Sequence, residues 1–317
     1  LTNARRILIA AIFSTLGYAQ GISPSLPPPV PDQPLVEVPD EDTVIRASVE
    51  MVNIAATVRG RRDAVVTNLE VGDFRLLEDG KPQQIRAFSR DTNLPLSVAL
   101  MIDASSSMEQ YFRAEAQAAK LFFERVLRPD DRAMVAGFRT QTELFQDMTG
   151  ELNLLERGLQ RLMQPLQPVI GTVLYDALVL ASDKRLASRS GRKVMVVLSD
   201  WADYGSRHTL EDALESAEKA DVIVYAIAFP AGMFAGEANN ALNAMTKKTG
   251  GRIFRVNKGE DLEKIFEQIE EEVRTQYLFS YTPTNTAHDG KYRKIELKTP
   301  KGDYKVQTRE GYYAPAE

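Results

Sequence analysis

Between about residues 95 and 274 the chain alternates short, wholly apolar runs with longer stretches whose apolar residues recur every three or four positions. The runs "LSVALMID", "RAMVAGF", "KVMVVLSD" and "VIVYAIAF" have no polar face, which predicts strands buried on both sides. Among the longer stretches, Leu152, Leu155, Leu159 and Leu162 share one helical face, and Leu210, Ala213, Leu214 and Ala217 share another. Leu262, Ile265, Phe266, Ile269 and Val273 make a third. Strands alternating with helices in this way predict an α/β domain with a doubly wound, mostly parallel sheet.

Toward both ends the period drops to two. Val52, Ile54, Ala56 and Val58 alternate with Asn53, Thr57 and Arg59, as in a strand with one buried face. "DFRLLEDGKPQQIRAFSR" reads as a hairpin turned at Asp79-Gly80. Past the helical region, Tyr277, Phe279 and Tyr281 alternate, and Ile295 and Leu297 alternate with Lys294, Glu296 and Lys298. Tyr304 and Val306 follow a "PKGD" turn. Neither end has enough strands to bury a core alone. The expectation is one β-sandwich built jointly from segments 41–92 and 275–317, with the α/β domain, 93–274, inserted between them.

A chain of 317 residues is long enough for two such units. Its net charge of −5 argues against a nucleic-acid partner, which needs a basic face. The absence of cysteine excludes disulfides, thiolate zinc sites and cysteine nucleophiles. With His208 and His288 the two histidines of the chain, a histidine-rich metal centre is excluded as well. The first residues, "LTNARRILIAAIFSTLGYAQG", set two arginines before an apolar core, Ile7 to Leu16, and small residues at Gly17 and Ala19. That order predicts a secretory signal peptide over 1–19, cut after Ala19, and export to the periplasm or the exterior. The apolar stretch falls short of the roughly 20 residues that span a bilayer, and no later segment of the mature chain is a candidate span. The proline-rich stretch over 20–40 cannot form helix and reads as an extended linker.

Candidate chemistry lies where the apolar runs stop. "LSVALMID" runs into "ASSSM", supplying Asp103, Ser105 and Ser107; "GTVLYDAL" puts Thr172 at the start of a helix; "LSDWAD" puts Asp200 after a later strand. Ligands of doubly wound sheets bind at the carboxyl ends of the strands, and both aspartates fall there. Two carboxylates and three hydroxyls from three loops form an all-oxygen set suited to Mg²⁺ or Mn²⁺, with waters filling the other positions. A carboxylate from outside could complete the shell. Taken singly the fragments are bland, since Ser107 could cap the following helix and Asp200 could simply end a strand.

Taken together they resemble a von Willebrand factor type A domain with its metal-ion-dependent adhesion site. "DASSSM" is similar to that family's Asp-x-Ser-x-Ser, Thr172 to its threonine, and Asp200 in "VVLSD" to its later aspartate. The flanks "VTNLEVGDFRLLEDGKPQQIRAFSR" and "EEVRTQYLFSYTPTN" resemble those of the bacterial VWFA-related proteins described from acidobacteria. The resemblance implies a Rossmann-like sheet, a divalent cation on Asp103, Ser105, Ser107, Thr172 and Asp200, and capture of a protein ligand's Asp or Glu carboxylate rather than catalysis. Ser106 stands where many members have glycine. Trp201 replaces the glycine usual after the later aspartate, setting a large ring beside the expected metal loop, either on its rim or packed beneath.

Two other readings compete. One is an accessory or structural interaction subunit without functional metal. The other is a hydrolase using Ser105 or Ser107 with His208 and an aspartate. It lacks a Gly-x-Ser-x-Gly elbow, and His208 sits in the polar loop "YGSRHTLED".

Overall fold

The computed structural model describes residues 51–90, 94–164, 171–231, 234–256, 262–300 and 303–316. The expected signal peptide over 1–19 and the linker over 20–40 lie outside the described residues.

Four strands come first: β1 (Val52–Arg59), β2 (Arg75–Glu78), β3 (Lys81–Gln83) and β4 (Ile85–Ser89). Asp79 and Gly80 join β2 to β3 with φ of 47° and 77°, both in the left-handed region that a tight hairpin turn requires. The α/β region then runs β5 (Leu96–Asp103), α1 (Phe112–Val126), β6 (Arg132–Phe138), β7 (Thr142–Thr149), α2 (Leu152–Leu162) and α3 (Leu174–Ala181). It continues with β8 (Arg192–Ser199), α4 (Leu210–Lys219), β9 (Val222–Ala228), α5 (Ala235–Thr249), β10 (Ile253–Arg255) and α6 (Leu262–Arg274). The chain closes with β11 (Tyr277–Tyr281), β12 (Tyr292–Lys298), β13 (Lys305–Thr308) and β14 (Gly311–Tyr313).

The central sheet has the order β10-β9-β8-β5-β6-β7, parallel apart from β7, which runs antiparallel to β6. Every residue of β5 is buried, as its unbroken apolar run requires. Leu96, Val98, Leu100 and Ile102 pack with α1, α2 and α6; Ala99 and Met101 point the other way, into a core shared with α3, α4 and α5. The predicted helical faces hold. Leu155, Leu159 and Leu162 are buried, as are all five apolar residues of α6, while Leu152, at the first position of α2, is exposed.

The two ends of the chain interleave. One antiparallel sheet is ordered β13-β1-β11-β4 and the other β14-β12-β2-β3, so each takes strands from both sides of the insertion. Val52 pairs with Tyr281, Ile54 with Phe279 and Ala56 with both Tyr277 and Thr308. Ile54, Val58, Phe74, Leu76, Tyr277, Phe279, Ile295 and Leu297 form the shared sandwich core. Salt bridges fasten it to the α/β region: Glu272 of α6 pairs with Arg59 of β1 at 2.8 Å and also with Arg252, and Arg309 pairs with Asp221 at 2.8 Å. Among the described residues no helix is long and apolar enough to cross a membrane.

Candidate metal centre

The strand order puts β5 between β8 and β6, and the chain leaves β5 toward β6 but returns on the other side as β8. Such a reversal opens a crevice at the carboxyl ends of the two strands, the usual binding place of an open α/β sheet. Asp103 ends β5. In the β5–β8 register Ile102 faces Leu198, which makes Ser199 the neighbour of Asp103.

Asp103 is fully buried. Its Oδ1 accepts the Ser105 N–H at 2.9 Å and its Oδ2 accepts the Ser199 hydroxyl at 2.6 Å. From there a chain of oxygens leads outward. Ser105 Oγ lies 3.0 Å from Ser107 Oγ, and Ser107 donates to Asp200 Oδ2 at 3.0 Å. Asp200 Oδ1 accepts the Ala202 N–H at 3.1 Å, holding the carboxylate toward the serines. Burial pushes the Asp103 carboxyl from its ordinary 3.8 up to about 6; the Ser105 and Ser199 hydrogen bonds oppose this, and the charge of Asp200 adds to it.

Four of the five expected ligands, Asp103, Ser105, Ser107 and Asp200, thus meet in one hydrogen-bonded row. Thr172 is attached through its backbone, exchanging N–H···O=C bonds of 2.9 and 2.8 Å with Tyr204 in the loop that carries Asp200. Its side chain makes none of the hydrogen bonds of the row. That loop is pinned to α3 at further points. Asp203 accepts the Tyr175 N–H at 3.2 Å, and Asp176 accepts the N–H groups of Arg207 and His208 at 3.0 and 2.9 Å. His208 Nδ1 sits 2.8 Å from Asp176 Oδ1, so the imidazole is paired on the loop and not with Ser105 or Ser107. Among the described residues no three His, Cys, Asp or Glu side chains gather closely enough to hold an ion without hydroxyls.

Two features escape a linear reading. Ser199 is a central partner of Asp103 and also accepts the Trp201 N–H at 2.8 Å, yet its place beside Asp103 becomes visible only once β8 is known to lie next to β5. Trp201 is not a rim residue: it is 1% exposed and packs in the core shared with α3, α4 and α5. Its φ of 61° lies in the left-handed region, which accounts for the glycine expected there.

Residues 97–268, more than half of the chain, match the family described as von Willebrand factor type A domain. Among solved structures, proximal thread matrix protein 1 from the mussel byssus is similar at 18% identity and a TM-score of 0.50, over 62% of this chain and 51% of that one. A structure of the same mussel protein with a zinc-occupied MIDAS motif is similar at 17% identity and a TM-score of 0.50, over 62% and 49%. The vWF domain of the type V pili tip protein Mfa5 from Porphyromonas gingivalis is similar at 15% identity and 0.45, over 56% of this chain and 94% of that one. The chain therefore spans about half the length of the mussel protein that it matches. No curated protein matches. The sheet order, the aspartate and serines at the switch point and the family match agree: this chain belongs to the von Willebrand factor type A domain family.

Proposed function

We infer that this chain is an exported protein-binding module that captures an acidic group of a partner protein through a divalent cation, Mg²⁺ or Mn²⁺. The carrying observation is the oxygen row itself: Ser105 Oγ to Ser107 Oγ and Ser107 Oγ to Asp200 Oδ2 are both 3.0 Å, which gathers hydroxyls and a carboxylate, the donors that hard divalent ions take, within reach of one ion. Ser105 and Ser107 would hold the ion with Thr172, while Asp103 and Asp200 bind it directly or through waters. The bound ion supplies positive charge and an open position for an incoming Asp or Glu carboxylate. The zinc-occupied motif of the mussel protein supports a divalent ion here.

The reading is one of binding, not catalysis. Ser105 and Ser107 are bonded to each other, Ser107 also to Asp200, and His208 to Asp176, so His208 is engaged elsewhere than at these two serines. The signal-peptide pattern supports export. The flanking segments support a place among the VWFA-related proteins described from acidobacteria.

Asp103 supplies the test. A carboxyl raised from 3.8 to about 6 in the fold is protonated more readily there than in the unfolded chain. Its contribution therefore lowers stability as pH rises from about 4 to about 6, reaching about 3 kcal/mol above that range. A cation offsets this cost by favouring the ionised form. In chelator at pH 7, Asp103→Asn should be more stable than wild type by up to about 3 kcal/mol, the difference vanishing below pH 4. Added Mg²⁺ should raise the unfolding midpoint of wild type and leave the variant unmoved. A wild-type midpoint indifferent to Mg²⁺, Mn²⁺ and chelator would remove the metal from this reading.

A further inference from the structure

At the edge of the central sheet opposite the oxygen row, the starts of β8 and β9 face the sandwich sheet ordered β13-β1-β11-β4. Ile54 and Phe279 belong to the sandwich core, so their neighbours Ala55 and Leu278, paired across β1 and β11, turn to the outer side of that sheet. The two surfaces bound a crevice of about 680 Å³, within the roughly 300–1,000 Å³ of small-molecule sites. Ala55, Leu278, Leu94 and Ile223 give it apolar walls. Its charge is mostly of one sign. Among the described lining residues Arg192, Lys193 and Arg309 stand against Asp221, in a chain whose net charge is −5. Asp221 is already matched, since Arg309 donates to it at 2.8 Å and to the Asn53 carbonyl at 2.6 Å. The buried Nε of Arg309 is left without a partner. Lys193 faces Val222 in the β8–β9 register, next to Asp221, yet among the described residues its ammonium makes no hydrogen bond or salt bridge. Burial weakens its hold on its proton, the charge of Asp221 opposes this, and that of Arg309 adds to it.

We propose that this crevice binds a small amphiphilic anion, an acyl-chain carboxylate in its simplest form, with the acidic head on Lys193 and Arg309 and the apolar body against Leu94, Leu278 and Ile223. Both halves of the ligand are needed. A neutral chain would cover the walls but leave the half-buried ammonium without a counter-charge, and a bare inorganic anion would pair with Lys193 but leave the walls wet. A carboxylate can take Lys193 without disturbing the Arg309–Asp221 pair, because that lysine is engaged with neither. The site is separate from the oxygen row and requires no metal.

Calorimetric titration of the full chain with octanoate, octanol and inorganic phosphate tests this, with chelator present so that no ion in the oxygen row contributes. Wild type should bind octanoate, and octanol and phosphate about tenfold more weakly or less. Lys193→Met and Lys193→Gln should each weaken octanoate about tenfold, the loss expected of one hydrogen bond to a charged group. Lys193→Arg keeps the charge and should bind as wild type does. Wild type that fails to bind octanoate at millimolar concentration overturns the proposal. Octanol binding as tightly as octanoate does so too, since it assigns the crevice to apolar contact alone. Octanoate binding unchanged in Lys193→Met and Lys193→Gln, or lost equally in Lys193→Arg, removes the charge of Lys193 from the site and overturns it as well.

Discussion

Trp201 holds two opposed demands in one side chain. Its backbone is left-handed, which costs a residue with a Cβ about 1 kcal/mol relative to glycine. Its ring fills the core beneath the loop that carries Asp200, and emptying such a site costs about 3–5 kcal/mol. Packing wins. Trp201→Gly should therefore lose about 2–4 kcal/mol in urea unfolding despite restoring the glycine usual in the family. A variant as stable as wild type would mean that the ring contributes nothing. At this scale the site was legible to the extent that ligand types sit at strand ends: Asp103, Ser105, Ser107 and Asp200 could be read from their positions after apolar runs. Ser199 could not, because a serine before an aspartate looks ordinary until the neighbouring element is known.

Among the elements, those with a strong period were the readable ones. β12 alternates because one face meets the sandwich core and the other meets water, and α6 repeats every three or four residues because one side packs on the sheet. β7 was not foreseen. It is an edge strand with a single buried residue, Phe145, so burial imposes little pattern on it. β10, three residues long, is too short to show a period. The sandwich halves are joined by a polar contact within their core as well as by apolar packing: Glu78 of β2 accepts the hydroxyls of Tyr281 in β11 at 2.6 Å and of Tyr312 in β14 at 2.9 Å. Tyr281→Phe or Tyr312→Phe alone should cost about 1–2 kcal/mol. The double variant leaves the buried carboxylate without either donor and should exceed the sum by about 1 kcal/mol. Denaturant unfolding of the four proteins completes the cycle, and strictly additive losses would argue against a shared acceptor.

For the molecule as a whole, the pairing of distant ends was inferred from a shortage of strands on each side, and the β1–β11 and β2–β12 ladders bear it out. The register was beyond reach, since alternation fixes which residues face inward but not which partner each meets. Removing residues 275–317 should strip β1 of both its neighbours, β11 and β13, and β2 of β12. Hydrogen exchange at Ile54, Ala56 and Leu76 should then approach that of an unfolded chain, while Val98 and Leu100 in the central sheet stay protected. Retained protection in β1 would show that the N-terminal strands stand alone. The same interleaving has a mechanical consequence. The chain enters the α/β region from β4 and leaves it into β11, neighbours in one sheet, so tension applied across the insertion reaches the β4–β11 and β1–β11 ladders first. A bound partner pulling on an anchored copy would load those ladders before the strand ends that carry the oxygen row, and the sandwich would act as a strain relief for the domain that it encloses.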